Sequence, residues 1–170
     1  TGDAFTSLYS VASTATKDDK VTRLKGKVKS PLNESTAVVT KDGNTMYFTR
    51  NNYIDNERKY DSNKNTNLKI YRAENVKGKW ENVTELSFNM DGYSTAHPTL
   101  SQDEATMYFS SDRPGGFGGS DLWQVAIHPS GAFGGPVNMG SAINTEARET
   151  FPFVTETGEL YFSSDGRIGL

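Results

Sequence analysis

Short apolar runs separated by polar turns follow one another along the chain. The clearest runs are TAVVT (36–40), TMYFTR (45–50), LKIYRA (68–73), TMYFSS (106–111) and LWQVAI (122–127). They are rich in Val, Ile, Thr, Tyr, Phe and Trp, and Gly, Asp, Asn and Pro bound them, as is typical of β-strands. The apolar spacing of an amphipathic helix is almost absent. The pattern therefore predicts an all-β chain.

One pattern of strand, tight turn and strand recurs along the sequence. Its copies are VVTKDGNTMYFTR (38–50), TLSQDEATMYFSS (99–111) and FVTETGELYFSSD (153–165). They align on Tyr47, Tyr108 and Tyr161, and the third copy has one residue fewer in its turn. A third and a fourth strand follow the first two copies. Each repeat of roughly 50–60 residues thus has four short strands, which is the strand content of a β-propeller blade, although such blades have roughly 40–50 residues.

The repeats predict a partial propeller domain over residues 1–170, with about three blades' worth of four antiparallel strands. Residues 1–33 are expected to end a preceding blade, and residues 149–170 to begin a further one. Two whole blades are expected over residues 34–93 and 94–148. Because closed propellers have about 4–8 blades, we expect the chain to be part of a larger or incomplete ring.

Two further patterns concern exposure and packing. The insert at residues 51–67 is polar and lacks periodicity, so we expect an exposed, mobile loop there. The Tyr-Phe pairs of the repeats are expected to pack within the sheets.

Composition narrows the classes of function. The chain has 170 residues, of which 34% are hydrophobic, and a formal net charge of −3. This balance predicts no bulk attraction to nucleic acid or to an anionic membrane. No cysteine is present, which excludes disulfides, thiolate metal sites and cysteine nucleophiles. No apolar run is long enough to cross a bilayer, and we expect neither a metal nor a cofactor.

The glycine run RPGGFGGSD (113–121) resembles a phosphate-binding loop only in composition. Such a loop needs a helix after it, whereas a strand pattern follows here, and no Walker lysine is present. We therefore expect a link between two strands, in which Asp112 and Asp121 accept hydrogen bonds from loop amides. Arg113 is expected to pair with one of them, and Phe117 to fold onto an apolar surface. Binding of a partner or of a calcium ion remains the alternative, although the spacing matches no known calcium loop.

Candidate catalytic residues are few. His97 aligns with Thr36 and Phe151 in the other repeats, and no serine occurs in a G-x-S-x-G context that could pair with it. His97 and His128 are therefore expected to be surface or partly packed residues. Equivalent positions before the innermost strand hold Glu34, Thr95 and Glu149. We expect them near the mouth of a central channel, where a solvated rim is favoured over the paired carboxylates of a glycosidase.

Two long segments carry a family resemblance. HPTLSQDEATMYFSSDRPGGFGGSDLWQV (97–125) and GPVNMGSAINTEARETFPFVTETGELYFSSDGRIGL (135–170) resemble TolB-type, WD-like β-propeller repeats. More narrowly, they are similar to the version found in OmpA-family outer-membrane proteins of Bacteroidota. The matching features are the YFSSD strand, the GGFGGSDLW link and the NMGSAINTEARE connection. The resemblance covers residues 24–170, and the first whole repeat departs from it through YFTRNNY and the long insert.

The resemblance implies a non-catalytic module that binds protein partners. In that family the propeller often lies between a tetratricopeptide-like region and a peptidoglycan-binding domain, and one member is a lipoprotein of the type IX secretion system. It implies a periplasmic, outer-membrane-associated location, without nucleic-acid binding or membrane insertion by this segment. Any contact with peptidoglycan would belong to a domain outside these residues.

Position in the repeat selects two groups of candidate partner-binding residues. The channel group comprises Glu34, His97, Arg148 and Glu149, and the link group comprises Asp112, Arg113, Phe117 and Asp121.

Two alternatives remain open. A propeller can gate a prolyl-oligopeptidase-like peptidase whose hydrolase lies in another domain, or it can bind carbohydrate through channel carboxylates and aromatic side chains.

Overall fold

A computed structural model describes residues 5–167, and this part of the chain is built from strands and turns without helix. The strands are β1 (Tyr9–Ser10), β2 (Thr22–Arg23), β3 (Glu34–Val39), β4 (Thr45–Asn51), β5 (Tyr53–Ile54), β6 (Glu57–Arg58), β7 (Leu68–Val76), β8 (Lys79–Glu85), β9 (Thr95–Leu100), β10 (Thr106–Ser111), β11 (Asp121–Ala126), β12 (Val137–Asn138), β13 (Glu149–Val154) and β14 (Leu160–Ser164). The prediction of an all-β chain is confirmed.

The strands form small antiparallel sheets. The first sheet has the order β3-β4-β7-β8, and the second has the order β9-β10-β11-β12. The third sheet is the hairpin β13-β14, and β1-β2 and β5-β6 form two further pairs. Each four-stranded sheet follows the chain order, and the longest connection, between β4 and β7, contains the β5-β6 hairpin. Within residues 5–33, which are predicted to belong to a preceding blade, the strands are β1 and β2, of two residues each.

Strand register makes the three repeats equivalent. Tyr47 pairs with Val38, Tyr108 with Thr99, and Tyr161 with Phe153, each in the first hairpin of its sheet. The alignment of the three tyrosines read from the sequence is therefore confirmed.

Each first strand carries a β-bulge at the same repeat position. Thr36, His97 and Phe151 have φ angles of 30°, 57° and 53°, and the strand register shifts beside each of them. A left-handed residue in a strand turns its N–H out of the ladder. The freed N–H of His97 donates to Thr49 Oγ1 of the first sheet at 2.8 Å. The bulge thus connects neighbouring sheets.

The largest core cluster lies between the first and second sheets. Tyr47 and Ile70 of the first sheet pack in it with Met107, Phe109 and Val125 of the second. Aromatic rings contribute to it, since Phe88 stacks on Phe109 with centroids 5.0 Å apart. Burial of each such side chain stabilises the fold by about 1.5–3 kcal/mol. The two sheets are therefore joined by a shared core.

Two buried asparagines continue the hydrogen bonding of the third strands, next to the residues that pair with the fourth strands. Asn89 accepts from Ile70 N at 3.3 Å and donates to Ile70 O at 2.8 Å. Asn144 bonds to the N and O of Leu122 in the same way, at 2.8 and 3.0 Å. Ile70 and Leu122 occupy equivalent positions in β7 and β11. Each amide therefore replaces a residue of a neighbouring strand.

The insert at residues 51–67 is more ordered in its hydrogen bonding than the sequence suggests. The β5-β6 hairpin turns through Asp55 and Asn56, whose φ angles are 53° and 63°. Asp61 Oδ1 then accepts from the backbone amides of Asn63 and Asn65 at 2.9 and 2.7 Å. Most residues of the insert are exposed, as expected, and the insert also contains the β5-β6 hairpin, which the sequence did not indicate. Its mobility stays a prediction.

A backbone joint connects the second sheet to the start of β13. Gly119 N donates to Ala147 O at 2.6 Å, and Glu149 N donates to Ser120 O at 2.7 Å. Gly118 lies so close to this segment that a Cβ atom would come within 2.4 Å of Ala147 O. Only glycine fits there, because the neighbouring atoms belong to the backbone.

Gly118→Ala is expected to open this joint. Overpacking against backbone should lower the free energy of unfolding by about 1–3 kcal/mol, measured by urea denaturation. Gly135→Ala is the matched control, since a Cβ atom there meets nothing within 4 Å. Equal stability of the two variants would contradict the assigned close approach.

Candidate functional site

The joint brings most of the sequence-predicted residues to one region. Arg148 forms a parallel bridge with Ser120, so the start of β13 lies beside the glycine link at residues 113–120. Glu34 and His97 lie on the other first strands, β3 and β9. The first strands are neighbours, since β9 contacts both β3 and β13. Arg148 and Glu149 of the channel group thus lie beside the link group, and the two form one continuous region.

Asp121 holds the glycine link closed. Its carboxylate accepts from Phe117 N at 2.6 Å, Gly118 N at 3.1 Å and Asn138 Nδ2 at 2.7 Å, and the residue is 1% exposed. The predicted bonds from loop amides are therefore confirmed for Asp121. They are wrong for Asp112, which is exposed and accepts from Ser94 N at 2.7 Å.

Arg113 is buried within the second sheet's aromatic cluster. Its guanidinium lies 5.0–5.2 Å from the ring centroids of Tyr93, Phe109 and Trp123. Its Nη2 donates to Phe88 O at 3.1 Å and its Nε to Ser111 Oγ at 3.2 Å. Burial lowers the pKa of this group. The expected pairing with an aspartate is wrong, because rings and neutral oxygens surround the cation.

The two glutamates of the channel group bond to the turns that precede them. Glu34 Oε1 accepts from Ser30 N at 2.6 Å and from Ser30 Oγ. Glu149 accepts from Thr145 N at 2.8 Å and Thr145 Oγ1 at 2.7 Å, and also from Ser164 Oγ. Burial alone would raise the pKa of Glu149, but these hydrogen bonds outweigh it and the pKa lies below its ordinary value.

The expected solvated rim is therefore wrong at these positions. Glu34, Thr95 and Glu149 are all buried. In the second sheet, where threonine replaces the carboxylate, Arg113 Nη2 donates to Thr95 Oγ1 at 3.4 Å.

Burial divides the candidate residues into two classes. Glu34, Arg113, Asp121 and Glu149 are buried, and their polar atoms bond within the chain. We therefore assign these four a structural role and no longer expect them to contact a partner directly.

Asp112, Phe117 and Arg148 are exposed and His97 is half-buried, so their partner-binding role stays a prediction. Phe117 is 50% exposed, which makes the expected folding onto an apolar surface wrong.

His97 lies between two neighbouring sheets. Its ring stacks on Phe151 with centroids 4.0 Å apart, and Nδ1 lies 2.8 Å from Ser110 Oγ. Burial lowers the pKa of His97 to about 4. A serine beside a histidine resembles a nucleophile and its base, but Ser110 is buried and no described carboxylate bonds to the other ring nitrogen. The stacking of His97 on Phe151 therefore packs β9 against β13, and the Ser110 contact holds the ring in place.

The sequence did not indicate an exposed aromatic surface on the third sheet. Phe151, Phe153 and Tyr161 are 54%, 61% and 58% exposed. The equivalent Tyr47 is 5% exposed, because the second sheet covers it. The expectation that all Tyr-Phe pairs are packed is thus wrong for Tyr161. The alternation Phe-Pro-Phe in β13 was the only available signal.

The rest of the described chain offers little further chemistry. Between residues 5 and 167, no three His, Asp or Glu side chains come together in an arrangement that could hold a metal ion. Over the same range, no helix has the length and apolar character needed to cross a membrane.

Comparison with protein-family models and with curated proteins found no match. The family resemblance of residues 24–170 therefore stays a prediction.

Asp121→Ala is expected to destabilise the link. It leaves two backbone amides and the Asn138 amide without their acceptor, at a cost of about 1–3 kcal/mol in the free energy of unfolding. Asp112→Ala is the control, since this exposed carboxylate accepts one bond. Denaturant titration measures the free energy of unfolding of both variants. An equal loss for Asp112→Ala and Asp121→Ala would refute the assigned role of Asp121 in closing the link.

His97 should make stability depend on pH. Its pKa in the folded chain, about 4, lies below its ordinary value of 6.5. The unfolded chain therefore binds the extra proton first, and stability falls as the pH is lowered from about 6.5 to 4. His97→Asn, which tolerates the left-handed φ angle, should show a shallower decline than the unsubstituted chain.

The ring itself can be followed in a His128→Gln background, which leaves His97 as the only histidine. Its NMR titration midpoint should lie near pH 4. A midpoint at 6.5 would show that the ring is solvated and would remove the assigned packing.

Proposed function

We propose that this chain is part of a β-propeller that serves as a non-catalytic scaffold for a protein partner. The observation that carries the proposal is the side-by-side packing of three equivalent hairpins, one of which exposes an aromatic surface. Sheets that repeat radially in this way have their first strands nearest one another. Contacts of β9 with β3 and β13 fit that arrangement.

Bonds between successive hairpin turns also support a radial arrangement. Lys41 N donates to Glu104 Oε1 at 2.6 Å, linking the first turn to the second. Gln102 Nε2 donates to Thr155 O at 3.4 Å, linking the second turn to the third. Equivalent turns thus lie side by side, as they do when blades are arranged about an axis.

The use of charged side chains favours a scaffold over an enzyme. Catalytic carboxylates need access to a substrate, whereas Glu34, Asp121 and Glu149 are buried and bond to backbone amides. His97 packs between sheets without a carboxylate partner among the described residues. These side chains maintain the fold and leave binding to the surface.

The surface proposed to bind the partner is the aromatic patch, which comprises Phe151, Phe153, Tyr161 and Arg148. Arg148 and Phe151 together line a shallow cavity of about 380 Å³. Aromatic residues and arginine are enriched in protein interfaces and supply most of their binding energy. Exposed aromatic groups of this size are otherwise unfavourable in water. The patch therefore fits another protein surface. Crosslinking distinguishes a separate partner from a following blade of the same protein, which would cover Tyr161 as the second sheet covers Tyr47.

The location of the complex is proposed from the family resemblance. Residues 97–125 and 135–170 resemble the propeller of OmpA-family proteins, which supports a periplasmic, outer-membrane-associated complex. The type IX secretion system is the complex that we propose to test first.

Photocrosslinking in the cells that express the full-length protein tests the proposal. A photoreactive phenylalanine analogue at position 153 or 161 should yield a discrete protein adduct. The same analogue at Tyr60 is the control, because that residue is also exposed but lies in the insert, away from β13. Arg148→Glu combined with Phe151→Ser should reduce the adduct at position 153 at least tenfold. Equal adducts at all three positions, or none at 153, would refute the proposed surface.

A further inference from the structure

Arg50 is a buried cation that forms no ion pair with a described residue, although the buried Glu34 opposite it on β3 partly offsets the lowering of its pKa by burial. It lies on β4, is 3% exposed, and has its guanidinium 4.2 Å from the ring centroid of Tyr71. Two of its N–H groups donate to the backbone oxygens of Lys27 and Tyr53. Its Nε has no hydrogen-bond partner, and no carboxylate of the described residues lies within ion-pair distance. A buried charge in this state is unfavourable unless something else neutralises it.

Arg113 provides an internal comparison. It occupies the corresponding aromatic setting of the second sheet, yet its Nε is satisfied by Ser111 Oγ. Aromatic packing is thus common to both arginines. Of these two arginines, only Arg50, which lies in the repeat that carries the insert, has an Nε without a partner.

A groove adjoins Arg50. Its volume is about 350 Å³, and the β5-β6 hairpin of the insert forms one wall. The lining residues are Lys27, Lys29, Arg50, Tyr53, Ile54, Asp55, Asn56, Glu81, Asn82 and Val83. Lys27 and Lys29 are exposed, and neither forms an ion pair with a described residue. Three cations therefore face two carboxylates.

We propose that this groove binds a small organic anion that also carries hydroxyl groups, such as a phosphorylated or carboxylated sugar. Lys27 and Lys29 would contact the anionic group, and its charge would compensate that of Arg50 beneath them. Asp55, Glu81 and the amides of Asn56 and Asn82 offer the acceptors and donors that hydroxyl groups need. The groove has the volume of a small-molecule site.

Calorimetric titration of the unsubstituted chain at fixed ionic strength tests the proposal. The probes are glucose 6-phosphate and glucuronate, which distinguish a phosphate from a carboxylate ligand, with glucose as the neutral comparison. At least one anionic sugar should bind and should also raise the melting temperature. Glucose should bind at least about tenfold more weakly, since it lacks the charge that the lysines recognise.

The variant Lys27→Gln/Lys29→Gln is expected to weaken binding of the anionic sugar at least tenfold without loss of fold, because both side chains are exposed. Lys17→Gln/Lys20→Gln removes the same charge from an exposed segment elsewhere and should leave binding unchanged. Arg50→Lys should also weaken binding, and the lysine variants decide the matter if that protein is unstable. Equal effects of the two double variants, glucose binding as tightly as the anions, or no binding at millimolar concentration would each overturn the proposal.

Discussion

The structure depends on pairing the backbone groups at the ends of very short strands. Sheets of two to four strands leave many N–H and C=O groups at strand ends, and burying them unpaired costs about 1–3 kcal/mol each. Polar side chains supply the missing partners from within the chain. Asp121 closes the glycine link, Glu34 and Glu149 hold the turns before their strands, and Asn89 and Asn144 act in place of strand residues.

This constraint explains where the charged residues are. The carboxylates that the sequence places at a channel or on a loop surface are instead buried and bond within the fold. Hydrogen bonds keep the pKa of Glu149 low despite its burial. Arginine is accommodated differently, because Arg113 and Arg50 both lie over aromatic rings. Their delocalised charge tolerates such surroundings better than an ammonium group would.

The two proposed binding regions lie where one repeat departs from the others. In the first repeat the insert adds a hairpin, which walls a groove beside Arg50. In the third, Phe151 replaces Thr36 and His97 at the bulge and Phe153 replaces Val38 and Thr99, and both aromatic side chains are exposed. Residues shared by all repeats are constrained by packing. Residues that occur in one repeat alone are not under this constraint and are available to bind a ligand or a partner.

The sequence by itself determined the strand content and the equivalence of the three hairpins, because alternation of side chains and turn chemistry are local properties. It also indicated that Asp121 would bond to the loop, since the acceptor and its donors lie within four residues. Only the tertiary structure decided that Glu34 is buried, that Arg113 lies among rings, and that Arg50 forms no ion pair. Those outcomes depend on contacts between segments far apart in the chain. The identity of a charged residue alone does not specify whether its side chain is solvated or buried.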